Sequence, residues 1–109
     1  MDETTAVRSL GALAQPARLR VFRALVVAGQ GGLTPGALSA SLGVPPNTLS
    51  FHLKELTATG LVTQERVGRH IVYRAAYARM TALMAYLTEH CCQGACAPEA
   101  ASASASACG

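Results

Sequence analysis

Charge is scarce in this 109-residue chain: Asp, Glu, Lys and Arg make up 14% of it, against 50% hydrophobic residues. That scarcity does not bring a membrane span with it. Arg18, Arg20 and Arg23 break up the richest apolar region, and no uncharged run approaches the ~20 residues a bilayer requires. A signal peptide is not expected either, because the start, MDETTAVRSL, is acidic and lacks the basic opening and long apolar run. No grouping of His, carboxylate and nucleophile appears, which argues against an enzyme. Cysteine is missing from the first 90 residues, and all four thiols fall at Cys91, Cys92, Cys96 and Cys108. We expect a cytoplasmic protein, and in that compartment thiols stay reduced. The cluster therefore points to metal binding or redox sensing before structural disulfides.

What is present sets the scale. The length suits one domain. A chain this short buries only a modest share of its surface alone, so a dimer that buries more is expected. The net charge of +3 is mildly basic and compatible with nucleic acid. There is no internal repeat.

Apolar periodicity organises the chain. In AVRSLGALA, Val7, Leu10 and Ala14 lie at helical spacing, with Ala6 and Leu13 beside them. Pro16 fits the first turn of a second helix, striped by Leu19, Phe22 and Val26 and stopped by GQGG at 29–32. Thr34 and Pro35 read as the N-cap and first residue of a third helix, with Leu33 and Leu38 as a hydrophobic staple. Gly43 ends it, and Val44, Pro45 and Pro46 lead directly into a fourth helix that runs to about Thr59 and closes at Gly60. The period then drops to about two. LVTQERV and HIVYRA read as strands joined at Gly68-Arg69, and a last helix covers roughly 77 to 91. The low-complexity APEAASASASACG tail has no large apolar anchor and is expected to be disordered. The expected division is one folded domain over 1–91, with a cysteine-bearing segment and tail over 92–109.

Helix–turn–helix followed by a hairpin is the layout of a mainly α, winged-helix DNA-binding domain. The fourth helix allows a closer test. Leu49, Leu53 and Leu56 define its core side, and at about 100° per residue Asn47, Phe51 and Lys54 fall opposite, flanked by Thr48 and Ser50. A large aromatic amid polar neighbours suits a major groove, with Phe51 at a thymine methyl, Asn47 at an adenine edge and Lys54 at a guanine edge or phosphate. The plainer alternative is an ordinary exposed Phe on a surface helix. His52 falls beside the core stripe; it is a candidate DNA contact, although a half-buried ring hydrogen-bonded within the domain fits it better. Arg66, Arg69 and His70 cluster at the hairpin tip, where they could hold phosphates or enter a minor groove.

LGALAQPARLRVFRAL followed by LTPGALSASLGVPPNTLSFHLKELTATGLVTQERVGRHIVYR resembles the ArsR/SmtB family of bacterial winged-helix repressors, over residues 7 to 91. LSFHLKELTATGLV is the most specific block. The resemblance implies a homodimer built from the first and last helices, a palindromic double-stranded operator, and release from DNA when a metal or metalloid binds. Residue spacing agrees on the dimer. Tyr77, Met80, Met84 and Leu87 alternate by three and four on the last helix, and with Val7 and Leu10 they form the candidate dimer interface.

One more step along that stripe reaches Cys91. Cys92 lies about 100° further round, and Gly94 lets the chain turn back so that Cys96 joins them. Three thiols suit a thiophilic trivalent ion, so As(III) or Sb(III) is the expected inducer, held by Cys91, Cys92 and Cys96; soft ligands disfavour calcium or magnesium. His90 leaves a Cys₃His zinc site open, a methylated arsenical would need only two thiols, and a redox or persulfide switch remains an alternative. Family members with arsenic thiols before the recognition helix differ from this chain, whose TPGALSASLGVP has no cysteine. Zinc-sensor ligands along the last helix are also missing, since only Glu89 and His90 are available there. The vicinal pair resembles arsenic-responsive members with a C-terminal site. Cys108 could replace Cys96 only by closing a longer loop, at greater entropic cost. The negative end of a helix disfavours thiolates, so Cys91 and Cys92 are expected to rest as thiols and lose their protons on binding.

Overall fold

A computed structural model of the chain describes residues 1–89. Helix α1 (Glu3–Leu13) starts earlier than apolar spacing alone suggests, because Asp2 caps it: its Oδ1 accepts from the Thr5 N–H at 2.8 Å. The face α1 turns inward is made of small residues, Ala6, Ser9 and Ala12, so the helix can lie close to its neighbours. Val7 and Leu10, the larger residues of the expected stripe, are exposed.

Helix α2 (Pro16–Ala28) begins under a Gln15 cap. Its buried side chains are Val21, Phe22 and Leu25, whereas Leu19 is exposed and Val26 half-buried. The expected Leu19–Phe22–Val26 stripe is therefore rotated. The helix packs against α1 and the third and fourth helices at once, which selects a broad arc centred on Phe22 and Leu25. A 3-10 turn at Gly29–Gly31 ends it.

Helix α3 (Pro35–Leu42) starts as its sequence predicts. Thr34 Oγ1 accepts from the Ala37 N–H at 3.2 Å, and Gly43 closes the helix with φ +67°. Leu38 is fully buried and Leu33 packs against the core. Ser39 Oγ donates to the Val44 carbonyl at 2.6 Å, tying α3 to the short turn before α4 (Pro46–Ala58). On α4, Leu49, Leu53 and Leu56 are buried as expected. They join Val21, Phe22, Leu25, Leu38 and Leu61 in one apolar cluster, where each fully buried leucine contributes roughly 1.5–3 kcal/mol.

Strands β1 (Val62–Val67) and β2 (His70–Ala75) pair antiparallel, from Val62 opposite Ala75 to Val67 opposite His70. The register leaves a two-residue turn at Gly68-Arg69, where Gly68 takes φ +61°, as tight hairpins require. Leu33 adds a short third rung. Its N–H donates to the Tyr73 carbonyl at 2.9 Å, and its carbonyl accepts from the Tyr73 N–H at 2.8 Å. Arg74 adds two contacts, donating to the Gln30 carbonyl and to Glu65, each at 2.7 Å.

Helix α5 (Tyr77–Thr88) stops three residues short of the expected 91. Glu89 is already extended (φ −62°, ψ 140°), and Thr88 Oγ1 donates back to the Met84 carbonyl at 2.8 Å. The last turn carries no basic residue to oppose the negative helix end, and an acidic Glu89 there is unfavourable. The expected domain boundary, the Ala/Ser tail and all four cysteines lie outside the described residues.

Gly32 is the tightest backbone contact. It adopts φ +65°, ψ −171°, and a Cβ there would meet the Tyr73 carbonyl oxygen and Val72 Cγ1 at 2.6 Å. Gly32→Ala combines a conformation reserved for glycine with overpacking, so it should destabilise the fold by about 2–5 kcal/mol. Urea unfolding would show this as a lower midpoint, whereas Gly36→Ala, which meets nothing within 4 Å, should leave the midpoint nearly unchanged.

Candidate nucleic-acid interface

Because three leucines hold one side of α4 in the core, the opposite side faces outward. Asn47, Thr48, Ser50, Phe51 and Lys54 are all exposed there. Phe51 keeps 53% of its surface accessible, unusual for so large a ring on a polar face. The N-terminus of α4 follows Pro45 and carries no side-chain cap, so its first free N–H groups remain available to an anion. Gly43, Val44 and Pro45 alone separate α3 from α4, which fixes the angle at which the face is presented.

The hairpin brings a second group to the surface. Arg66, Arg69 and His70 are exposed around the β1–β2 turn, with Arg66 opposite Ile71. Val67 and Ile71 are exposed beside them at 48% and 37%. The tip is thus amphipathic, a feature that reading it for charge alone missed, although the two β-branched residues were visible in the sequence.

His52 does not share the outward face. It is buried at 6% exposure, and its Nδ1 accepts a hydrogen bond from Arg18 Nε at 3.3 Å. This is a correction to its place among the candidate DNA contacts: at helical spacing it is neighbour to both faces, and packing against α2 draws it inward. Burial pushes its pKa below the ordinary 6.5, and the Arg18 charge lowers it further. Arg18 also stands over the Phe51 ring, its guanidinium carbon 5.4 Å from the ring centroid. No local pattern announces this contact, because Arg18 lies 34 residues from His52 in sequence.

The candidate dimer residues divide. Val7 and Leu10 on α1, and Met84 and Leu87 on α5, are exposed, with accessibilities from 40% to 62%. Tyr77 and Met80 instead pack on the protomer's own core, and the Tyr77 hydroxyl donates to the Val26 carbonyl at 2.8 Å. The stripe is therefore partly inward and partly free along one helix. Among the described residues no group of three or more His, Cys, Asp or Glu could hold a metal ion. The candidate metalloid ligands Cys91, Cys92 and Cys96 fall outside them. No helix among the described residues is long and apolar enough to cross a membrane.

Residues 13–65 match the model of a helix-turn-helix domain family. Among curated proteins, none matches the chain significantly. Several solved structures do. An ArsR-like transcriptional regulator from Rhodococcus sp. RHA1 is 28% identical, with TM-score 0.70, covering 77% of this chain and 76% of that one. A possible transcriptional regulator for arsenical resistance is 32% identical, with TM-score 0.63, covering 72% and 79%. The homodimeric winged helix-turn-helix DNA-binding domain of a possible ArsR-family transcriptional regulator from Mycobacterium bovis is 30% identical, with TM-score 0.63, covering 80% and 81%.

The buried His52 makes stability depend on pH. Its folded-state pKa lies below the unfolded value, so its contribution is complete above pH 6.5 and is lost as pH falls through the depressed pKa. Urea midpoints at pH 7.5 and 5.5 should therefore drop further for the native chain than for His52→Asn, which keeps an acceptor but cannot take up the proton.

Proposed function

The chain belongs to the ArsR family of winged-helix transcriptional regulators, and on that premise we propose that it is an arsenite- or antimonite-responsive repressor that binds a palindromic operator as a homodimer. It is a DNA-binding regulator and not an enzyme. The observation that carries the DNA reading is the outward set on α4: Asn47, Thr48, Ser50, Phe51 and Lys54 are free on one face, while the leucines of the other are buried. In the major groove Asn47 and Lys54 meet base edges or phosphate, and Phe51 supplies apolar contact to a thymine methyl. Arg66, Arg69 and His70 take adjacent backbone or minor-groove positions from the wing.

The dimer reading draws on the exposed Val7, Leu10, Met84 and Leu87, because α1 and α5 pack beside one another and leave these residues uncovered in the protomer. The M. bovis relative is homodimeric. Symmetry then presents two α4 helices to successive major grooves, about 34 Å apart.

The metalloid reading draws on the chemistry of the donor set. Cys91, Cys92 and Cys96 follow closely on the end of α5, and one similar structure is a possible regulator for arsenical resistance. Three thiols fit a trivalent thiophilic ion, and when bound that ion supplies a cross-link between them. The thiols give up their protons on binding, so the response weakens in acid. Within the protomer α5 has a physical link to the DNA-reading helix, since Arg79 Nη1 donates to the Thr59 carbonyl at the end of α4 at 3.4 Å. A change in how α5 sits in the dimer is thereby passed to the spacing of the two α4 helices, and the ion's differential affinity for the two geometries supplies the coupling.

Fluorescence anisotropy tests both halves. Phe51→Ala and Asn47→Ala should each weaken specific binding, by roughly 5- to 150-fold if each contact contributes about 1–3 kcal/mol. Arsenite should release the reduced native protein from its duplex, while Cys91→Ser and Cys92→Ser should stay bound. A Cys96→Ser variant that still responds would favour a methylated arsenical as the natural ligand. Reduced protein that holds its duplex in saturating arsenite would refute the inducer assignment, and release by oxidant alone would turn it into a thiol redox switch.

A further inference from the structure

Arg18 sits in the first turn of α2, outside the α3–α4 pair, yet it touches α4 at two points. Its Nε–H donates to His52 Nδ1 at 3.3 Å, and its guanidinium carbon lies 5.4 Å from the centroid of the Phe51 ring. The two rings stand 6.0 Å apart and tilted by 56°, so one cation bridges adjacent aromatic residues that face opposite ways, one buried and one 53% exposed. We propose that Arg18 is a positioning residue for DNA reading: its guanidinium, oriented by a neutral His52, holds the Phe51 ring in the pose it presents to the duplex. The inference rests on the reading that the outward face of α4 meets DNA.

The chemistry is specific to these groups. An imidazole can accept at Nδ1 only if that nitrogen is unprotonated, so the ring proton resides on Nε2 and His52 is neutral. Arg18 cannot surrender its charge, and it donates from Nε in a fixed plane, so the bond to His52 sets the orientation of the whole guanidinium. A cation within about 6 Å of a ring centroid is attracted to the ring face. An exposed phenylalanine otherwise samples several rotamers, and fixing it in advance removes that ordering cost from DNA binding.

Protonating His52 opens the clamp, because Nδ1 then carries a proton and an imidazolium faces a guanidinium. The surrounding charges do not offset this. Arg18 and Glu55 line one cleft with Arg8 of α1, which adds positive charge against a single carboxylate. Helix α3, PGALSASL, has no ionisable residue. On β1, Glu65 is paired with Arg74, and Arg66 stands near the hairpin tip.

The test uses the full-length protein and a fluorescein-labelled duplex recovered by the native protein from a random-sequence library. Arg18→Gln should weaken binding to that duplex about tenfold while leaving a scrambled duplex within twofold. Arg18→Lys, which keeps a cation for the ring, should lose about threefold and provides a folded comparison if the glutamine variant is unstable. The loss from Arg18→Gln combined with Phe51→Leu should not exceed that of the worse single variant, since both disable one unit. The slope of log affinity on log salt should stay unchanged. A slope reduced by about one would make Arg18 a direct phosphate contact and overturn the positioning role.

A second readout needs no DNA. The chain has two phenylalanines, Phe22 buried and Phe51 exposed, so fluorophenylalanine labelling yields two ¹⁹F resonances. The Phe51 resonance should shift as pH falls from 7.5 to 5.5 in the native protein, and this shift should vanish in Arg18→Gln and in His52→Asn. Unchanged duplex affinity in Arg18→Gln and Arg18→Lys, additive losses in the double variant, or a Phe51 resonance indifferent to pH would each overturn the proposal. A native protein that recovers no duplex would instead refute the DNA reading, and the inference with it.

Discussion

The leucine seam of α4 decides which way its polar face points. Leu49, Leu53 and Leu56 are each at most 1% exposed and pack with Leu25, Leu38 and Leu61. Rolling the helix to bury Phe51 would gain about 1.5–3 kcal/mol for one ring and surrender a similar amount for each of three leucines. The exposed phenylalanine is therefore imposed by the stronger demand on the opposite face. Asn47, Ser50 and Lys54 are carried outward with it, so a simple preference for burial yields a polar surface with one apolar centre.

The wing follows a different logic, in which order falls off along its length. Leu61, Val62 and Ala75 are buried at its base, and every later residue of β1 is exposed. A two-stranded hairpin is marginal by itself. Here the Leu33–Tyr73 rung and the Arg74 bond to the Gln30 carbonyl attach it to the chain segment that follows α2. The Arg74–Glu65 ion pair is exposed and contributes little, about 0–1 kcal/mol. Backbone pairing at the base thus holds the hairpin, and the arginines near its tip are left free of structural duty.

Much of this was legible because it depends on local chemistry. Thr34-Pro35 and Gly43 bound α3, Gly68-Arg69 sets the hairpin register, and leucine spacing orients α4; each is a short-range signal read within a turn or two. What escaped depends on neighbours distant in sequence. On α1 spacing did not single out the small face of Ala6, Ser9 and Ala12, which the protomer buries, with Leu13 packed against the core, while Val7 and Leu10 of the candidate dimer interface stay exposed. The stripe on α2 was rotated because the helix has several partners, and periodicity weighs them as one. The end of α5 was overrun because apolar spacing continues past Thr88, whereas the hydroxyl of Thr88 and the charge of Glu89 do not favour another turn. His52 was ambiguous by spacing, and its partner Arg18 is brought close only by the packing of α2 on α4.

Those longer-range contacts also shape how a signal could cross the protomer. At its start α5 is tied on two sides, through Tyr77 to the Val26 carbonyl and through Arg79 to the Thr59 carbonyl, and the Ala76 N–H donates to the Leu61 carbonyl just before it. Further along, Leu83 is buried, while Met84 and Leu87 are uncovered. Twelve residues make a rod of about 18 Å, stiff over that length because its backbone bonds are internal. The Arg79–Thr59 bond lies against the end of α4, so α5 and α4 share a direct polar contact at the start of α5. The apolar residues that α5 leaves uncovered lie towards its other end, where the protomer's own packing does not use them.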